Sequence, residues 1–154
     1  MITVRLTPQS LIRMRKKHDW LINETSRAIK LALEEGGENA KATVMRHPVF
    51  TPRTGELQRA TTTRIVMNKR RKVLKVQNRK KYAAAIDKGS KPHLIVARNA
   101  PYLVFQVNGH WVRKKSVWHP GTKPYRFLEN AATQGGHRTE RVLRDRMSRI
   151  ASRF

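Results

Sequence analysis

Apolar residues recur at helical spacing through the first third of the chain. The positions three or four residues apart on one face are Leu11, Met14, His18, Leu21, Thr25, Ala28 and Ala32. Thr7 followed by Pro8 predicts the start of this helix, with Thr7 as its N-cap. Gly36-Gly37 predicts a break or kink, after which the helix resumes up to His47-Pro48. We therefore expect a long N-terminal helix that buries this face against a sheet, preceded by a short strand at residues 1–6.

The pattern changes from helical to alternating after a turn at residues 51–55. Four segments with strand-like alternation form two pairs, 64–67 with 72–76 and 102–107 with 111–113. The first pair flanks a turn at residues 68–71. The second flanks Asn108-Gly109, which is the strongest short-range signal for a β-hairpin. Residues 82–86 are compatible with a third strand or a short helix, and the pattern leaves both open.

The C-terminal part is predicted to be helical again. Pro124 indicates the start of a short helix that runs to Ala132, and Gly135-Gly136 separates it from a last helix. The apolar face of that last helix carries Leu143, Met147 and Ile150 among six arginines.

The element order of helix, sheet and helix predicts an α+β fold. We expect a long N-terminal helix packed on a twisted, mainly antiparallel sheet with a protruding hairpin, followed by short and C-terminal helices. The length of 154 residues predicts one domain. Its parts would be a helical segment at 1–50, a sheet-bearing core at 51–132 and a basic helix at 133–154.

The net charge is the most informative property of the composition. Lys and Arg number 34 against 10 acidic residues, which gives a net charge of +24. Solubility alone needs a net charge of only about 2–8, so the excess favours a polyanionic partner such as nucleic acid. The chain contains no cysteine and no apolar stretch of the length that a membrane span requires. The N-terminus lacks the continuous apolar region of a secretory signal.

Three basic clusters are the candidate sites for that partner. They comprise Lys69, Arg70, Arg71 and Lys72 at a hairpin tip, then Arg79, Lys80 and Lys81, then Arg113, Lys114 and Lys115. Aromatic residues are not interleaved with these clusters as in a base-stacking platform. We therefore expect any DNA binding to be directed at the backbone and blind to sequence. The alternatives are an acidic protein surface and a solvated face.

The sequence offers little for catalysis or for cofactor binding. Gly121-Thr122-Lys123 resembles the end of a phosphate-binding loop, but Ser116 stands where that loop needs its first glycine. The six histidines are scattered and lack the spacing of metal ligands. We expect a protein that is not an enzyme and has no catalytic, cofactor or metal site.

A short internal echo links two loops. Gly89-Ser90-Lys91-Pro92-His93 and Gly121-Thr122-Lys123-Pro124-Tyr125 are near copies, 32 residues apart. A solenoid would need at least three such repeats. We interpret the echo as two similar loops at the same end of the sheet, whose glycines adopt turn conformations.

Three passages in the chain carry a family resemblance. They are TPRTGELQRA at 51–60, YAAAIDKGSKPH at 82–93 and VWHPGTKPYRFLENA at 117–131. In this order they resemble the passages R-T-G-x-L-x-x-S, Y-A-x-x-V-E-x-G-T-x-P-H and V-x-H-P-G-T-x-P-x-x-F-L-x-x-A of the tail-completion, or head–tail joining, proteins of long-tailed lambdoid-type bacteriophages. The departures are conservative: Ala60 for Ser, Asp87 for Glu and Ser90 for Thr.

The resemblance implies a virion structural protein that forms an oligomeric ring, expected to be a hexamer, at the head–tail junction around the DNA path. Its implied partners are copies of itself, the connector or neck proteins, and tail-tube or terminator proteins, with sequence-blind contact to the genome and none to a membrane. The implied location is the tail or neck of a particle assembled in the bacterial cytoplasm. The family-like residues are Thr54, Gly55, Leu57, Tyr82, Gly89, Pro92, His93, His119, Pro120, Gly121, Thr122, Pro124, Phe127 and Leu128. The alternative is a freestanding basic nucleic-acid-binding protein.

Overall fold

A long helix, α1, dominates the computed structural model, which describes residues 7–69 and 71–153. Helix α1 spans Pro8–Arg46 and is about 58 Å long at 1.5 Å per residue. As predicted, Thr7 is the N-cap, and its Oγ1 accepts a hydrogen bond from the Ser10 N–H at 3.2 Å. The helix ends at the residue before His47-Pro48, because proline disfavours helical backbone in the residue that precedes it. The strand predicted at residues 1–6 lies outside the described residues.

The two glycine pairs do not interrupt their helices, so both predicted breaks are wrong. Helix α1 continues through Gly36-Gly37, and a single C-terminal helix, Phe127–Ala151, continues through Gly135-Gly136. The predicted short helix and last helix are therefore one element. The reason is close packing: a Cβ on Gly36 would lie 2.6 Å from the Gly135 carbonyl oxygen, and a Cβ on Gly135 would lie 2.7 Å from the Gly36 carbonyl oxygen. The glycines let the two backbones touch.

Helix α1 and the C-terminal helix run antiparallel. Ala40 lies against Gly135, Gly36 lies against Thr139, and Ala28 lines a cavity together with Ile150. The buried apolar residues of α1 all lie in its second half: Ala28, Ala32, Leu33, Ala40 and Val44.

The predicted burial of the start of α1 is wrong. Leu11 and Met14 are 51% and 59% exposed. The C-terminal helix ends at Ala151, in the region of Trp20, so the first three turns of α1 extend beyond it. Among the described residues, those turns have no packing partner that buries their apolar side chains.

A β-hairpin packs against the C-terminal half of α1. Strands β1, Thr61–Met67, and β2, Lys72–Asn78, pair antiparallel in the predicted positions. Asn68 closes the turn, because its N–H donates to the Arg71 carbonyl at 2.8 Å and its Oδ1 accepts from the Arg71 N–H at 2.6 Å. A Cβ on Gly37 would lie 3.1 Å from Thr63 Oγ1 and 3.3 Å from Leu74 Cδ1. The hairpin thus rests on α1 through the face that carries these two residues.

Two short helices surround the hydrophobic core. Helix α2 spans Glu56–Arg59, and helix α3 spans Ala83–Lys88. The segment around residues 82–86, for which the pattern allowed a strand or a short helix, is therefore a helix. The C-terminal helix is numbered α4. The core cluster consists of Ala40, Val44, Phe50, Leu57, Ala83, Phe127 and Ala131, with Val76, Ile86 and Leu128 partly buried against it.

The remaining strands form a long two-stranded extension, which we name the distal ribbon (residues 93–119). Its base is β3, His93–Val96, paired with β6, Ser116–His119. Its tip is the predicted hairpin, β4 Leu103–Val107 with β5 His110–Lys114. Asn108 and Gly109 have φ angles of 51° and 84°, as a tight two-residue turn requires.

The fold class is α+β, as predicted, with antiparallel strands and hairpins. The strands form three two-stranded sheets where the sequence suggested one larger sheet. Within the described residues, none of the helices combines the length and apolarity needed to cross a bilayer.

Candidate functional site

The two echoed loops pair with each other at the base of the distal ribbon. Ser90 and Thr122 exchange backbone hydrogen bonds in both directions, each 3.0 Å long. Gly89 and Gly121 have φ angles of 77° and 89°. A Cβ on Gly89 would lie 2.5 Å from the Thr122 carbonyl oxygen, and one on Gly121 would lie 2.4 Å from the Ser90 carbonyl oxygen. The two loops thus make equivalent contacts with each other, and the predicted glycine turn conformations are confirmed.

A histidine pair lies directly beyond these loops. His93 and His119 face each other across β3 and β6, with ring centroids 5.2 Å apart. His119 Nδ1 accepts a hydrogen bond from the Gly121 N–H at 3.0 Å, and His93 Nδ1 lies 2.8 Å from the Lys91 carbonyl oxygen. Each ring therefore contacts the backbone of its own loop. These contacts give the two family-like histidines a structural role at the ribbon base.

Asp87 joins α3 to α4, a role that sequence reasoning missed. Its Oδ1 accepts a hydrogen bond from the Leu128 N–H at 2.8 Å, and its backbone carbonyl accepts from the Arg126 N–H at 2.9 Å. The first N–H groups of a helix lack intrahelical partners and favour a negative charge nearby. Arg126, the N-cap residue of α4, has a φ of 48° and makes no side-chain cap. Asp87 takes over that function from a position 41 residues upstream.

The three family-like passages meet in the core. Leu57 comes from the first passage, Ala83 from the second, and Phe127 and Ala131 from the third, and all four are buried in one cluster. Phe127 also stacks edge-on against Phe50, with ring centroids 5.3 Å apart. Each of the three passages therefore supplies at least one buried residue of the core.

The first passage also forms one wall of a cavity of about 510 Å³. Gly55 has a left-handed φ of 70° at the start of α2, and the Thr54 carbonyl accepts a hydrogen bond from Arg59 Nη2 at 2.9 Å. Tyr82 and Tyr125 form part of the opposite wall. Pro92, Pro120 and Pro124 are exposed, beside the paired loops.

The distal ribbon exposes apolar side chains on both of its sheets, and on the tip hairpin they lie on both faces, since Val104 and Val107 point to opposite sides of β4. On the base sheet these are Leu94, Val96 and Trp118, and on the tip hairpin Tyr102, Val104, Val107 and Trp111. Trp111 and Trp118 are 71% and 65% exposed. All four residues of β3 are exposed. Exposed apolar side chains gathered on one extension are typical of a site of interaction.

The first basic cluster lies at the tip of the β1–β2 hairpin, as predicted. Lys69, Arg71 and Lys72 are exposed there, and Arg70 lies outside the described residues. The outward face of the hairpin adds two further cations that the sequence reading did not select. Arg64 lies directly opposite Lys75 in the strand register, and both are exposed. Two like charges in this arrangement repel each other.

The second basic cluster lies at the other end of β2, about 23 Å from the tip at 3.3 Å per residue. Arg79 and Lys81 are exposed. Lys80 is occupied, because its Nζ lies 2.7 Å from Glu56 Oε2. The hydrogen bond from Lys80 lowers the pKa of Glu56, and the same bond raises the pKa of Lys80.

The third basic cluster belongs to a different sheet. Arg113 and Lys114 lie at the end of β5, and Lys115 links β5 to β6. All three side chains are exposed on the distal ribbon. The three clusters therefore occupy three separate elements.

Acidic residues are almost absent from the middle of the chain. Residues 57–128 contain eighteen Lys and Arg against the single acid Asp87, which caps α4. The other acids lie in α1 and α4, together with Glu56. Among residues 7–69 and 71–153, there is no group of three side chains able to hold a metal ion.

Comparisons of this chain with protein-family models, with curated proteins and with solved structures find no match. The resemblance to tail-completion proteins thus rests on the three sequence passages.

Proposed function

We propose that this protein is a structural component of a tailed bacteriophage particle, which assembles into a ring at the head–tail junction and helps join tail to head around the DNA path. The observation that carries the proposal is the distal ribbon. Its apolar side chains, with Trp111 and Trp118 the most exposed, are left uncovered on a two-stranded extension. A subunit that inserts this extension against a neighbouring copy makes a head-to-tail contact, and repeated contacts of that type close into a ring.

The charge distribution is in keeping with a channel for DNA. The acid-poor segment 57–128 carries the β1–β2 hairpin and the ribbon, whereas most acidic residues lie in α1 and α4. A ring that turned the hairpin tip inward would surround its lumen with cations, which attract the phosphate backbone without reading its sequence.

The test is the oligomeric state of the purified protein in the absence of nucleic acid. We expect light scattering to detect closed oligomers in the wild type. The double variant Trp111→Lys/Trp118→Lys should remain monomeric and keep its melting temperature, because both side chains are already exposed in the monomer. Leu11→Lys/Met14→Lys is the matched control, because it makes the same kind of change at two exposed apolar residues of α1. A wild type that stays monomeric at high concentration and does not join tails to heads would refute the proposal.

The net charge of +24 favours a second candidate, a freestanding nucleic-acid-binding protein. Such a protein would remain monomeric and bind DNA or RNA with a steep salt dependence. The same light-scattering experiment separates the two, because only a ring component assembles before nucleic acid is added.

A further inference from the structure

Two adjoining cavities lie between α1 and the C-terminal end of α4. The first has a volume of about 230 Å³, and the second, nearer the start of α1, has a volume of about 290 Å³. Trp20 and Arg153 line both. We call the two together the α1–α4 cleft.

Basic side chains form most of the polar wall of the cleft. Arg27, Arg146, Arg149 and Arg153 line the first cavity. Arg13, Lys16 and Lys17 join Arg153 in the second. The one acidic residue among those that line the cleft is Glu24. Seven cations around two connected cavities repel one another, which favours the binding of an anion.

Three of these cations, Arg27, Arg149 and Arg153, are not held in place by an ion pair among the described residues. Arg146 is held by Glu35, whose Oε1 lies 3.4 Å from Arg146 Nη2. Within the described residues, by contrast, no acidic side chain lies within ion-pair distance of Arg27, Arg149 or Arg153. The helices are already joined by the glycine crossing and by Glu35.

The cleft is long enough to hold a row of phosphates. On α1 the cleft residues recur every three or four positions between Arg13 and Arg27, so they share one helical face. That face is about 21 Å long at 1.5 Å per residue. Successive phosphates of one strand rise about 3.4 Å along a duplex, so the cleft is long enough for about six.

Trp20 adds an aromatic surface in the middle of this row. It lines both cavities and is 36% exposed. An exposed indole ring flanked by cations is suited to stack on an unpaired base.

We propose that the α1–α4 cleft is a binding site for the phosphodiester backbone of a nucleic acid strand. The phosphates lie along Arg27, Arg149 and Arg153, and Trp20 contacts a base where the strand is unpaired. This site is distinct from the hairpin tip and the ribbon, and it does not depend on ring assembly.

The first test removes three cleft cations in the variant Arg27→Gln/Arg149→Gln/Arg153→Gln. The matched control is Arg98→Gln/Lys123→Gln/Arg141→Gln, which removes three exposed cations elsewhere. The affinity for a short oligothymidylate and for a duplex of the same length is measured across a range of salt concentrations. The slope of log affinity against log salt should fall by about 2–3 in the cleft variant, because each lost phosphate contact removes about 0.7–0.9.

The control should retain the wild-type slope, and equal slopes in the two variants would overturn the proposal. A cleft variant that loses binding to a polyglutamate peptide but keeps its affinity for both oligonucleotides would also overturn it, since the cleft would then bind an acidic protein. A fall for the single strand alone, or for both probes, supports the proposal and identifies which form of nucleic acid supplies the phosphates.

The second test leaves the cleft intact and so does not depend on the folding of the triple variant. Trp111→Phe/Trp118→Phe makes Trp20 the sole tryptophan. Oligothymidylate should quench its fluorescence in a saturable manner that added salt reverses. Emission that does not change while the oligonucleotide binds would place the nucleic acid elsewhere and refute the site.

Discussion

Asp87 caps helix α4 from outside that helix: its Oδ1 accepts a hydrogen bond from the Leu128 N–H at 2.8 Å. The bond links the end of α3 to the start of α4, directly beside the paired loops that hold the base of the ribbon. One carboxylate thus joins two helices of the core next to the loop that leads into the ribbon.

Asp87→Ala is expected to lower the free energy of unfolding by about 1 kcal/mol, as other lost helix caps do. The melting temperature of a domain of this size should fall by about 2–4 °C. Asp87→Asn keeps an oxygen that can accept the bond, so it should retain most of the stability. Chemical denaturation of the two variants checks this, and equal losses in both would contradict a role for the hydrogen bond.

Replacing each of two adjacent glycines in α4 by alanine should change the stability of the protein in opposite directions. A Cβ on Gly135 would lie 2.7 Å from the Gly36 carbonyl oxygen and 3.0 Å from Ala40 Cβ, whereas a Cβ on Gly136 would meet nothing within 4 Å. Gly135→Ala should therefore destabilise the protein by about 1–3 kcal/mol through overpacking. Gly136→Ala should stabilise it by about 0.5–1 kcal/mol, because alanine loses less entropy in a helix. Thermal unfolding measures both, and a stabilised Gly135→Ala would show that the helices do not cross at this position.

The ion pairs of Glu35 predict a stability that depends on pH. The hydrogen bond from Arg138, at 2.7 Å, holds the pKa of Glu35 below its ordinary value, with a further contribution from Arg146. A lowered carboxyl pKa stabilises the folded state above the ordinary pKa, and this stabilisation disappears as pH falls through the folded-state pKa. Glu35→Gln should therefore unfold more easily than wild type at neutral pH and equally easily in acid. The control is Glu38→Gln, which loses only an exposed pair with Lys41. A difference that persisted in acid would rule out ionisation as its cause.

Reversing one of the like charges on the β1–β2 hairpin should change both the stability of the protein and its affinity for DNA. Lys75→Glu would place a negative charge opposite Arg64, and such a cross-strand pair contributes about 0.2–1 kcal/mol. Lys72→Glu makes the same change of charge opposite Met67 and serves as the control. Lys75→Glu should be the more stable of the two variants. Both should bind duplex DNA more weakly than wild type if the hairpin faces the phosphate backbone of the DNA. Unfolding curves and salt-dependent affinity separate these effects; affinity equal to that of wild type in both variants would mean that the hairpin does not contact DNA.

The sequence allowed prediction of those elements that are determined by one or two neighbouring residues. Thr7-Pro8 gave the start of α1, and Asn108-Gly109 gave the turn of the ribbon hairpin, because capping and left-handed turns depend on one or two residues. The glycine pairs misled the prediction for the opposite reason. A glycine that ends a helix and one that lets two helices touch are identical in sequence, and only the partner helix distinguishes them.

The candidate sites were predictable to a lesser degree. The hairpin-tip cations are exposed where the pattern placed them, since a turn between two strands has no other location. The engagement of Lys80 with Glu56, 24 residues away, follows from tertiary packing. The same holds for the α1–α4 cleft, whose cations come from opposite ends of the chain. No local pattern indicates that Arg27 and Arg149 share a cavity.

The paired loops at Gly89 and Gly121 have a consequence for how this chain can diversify. They fasten both ends of the ribbon to each other and to the core, so everything between His93 and His119 is an excursion that begins and ends at one point. The entropic cost of closing such an excursion rises by only about 0.6 kcal/mol for each doubling of its length. The ribbon can therefore be lengthened, shortened or replaced to suit another partner while the helices beneath it keep their arrangement.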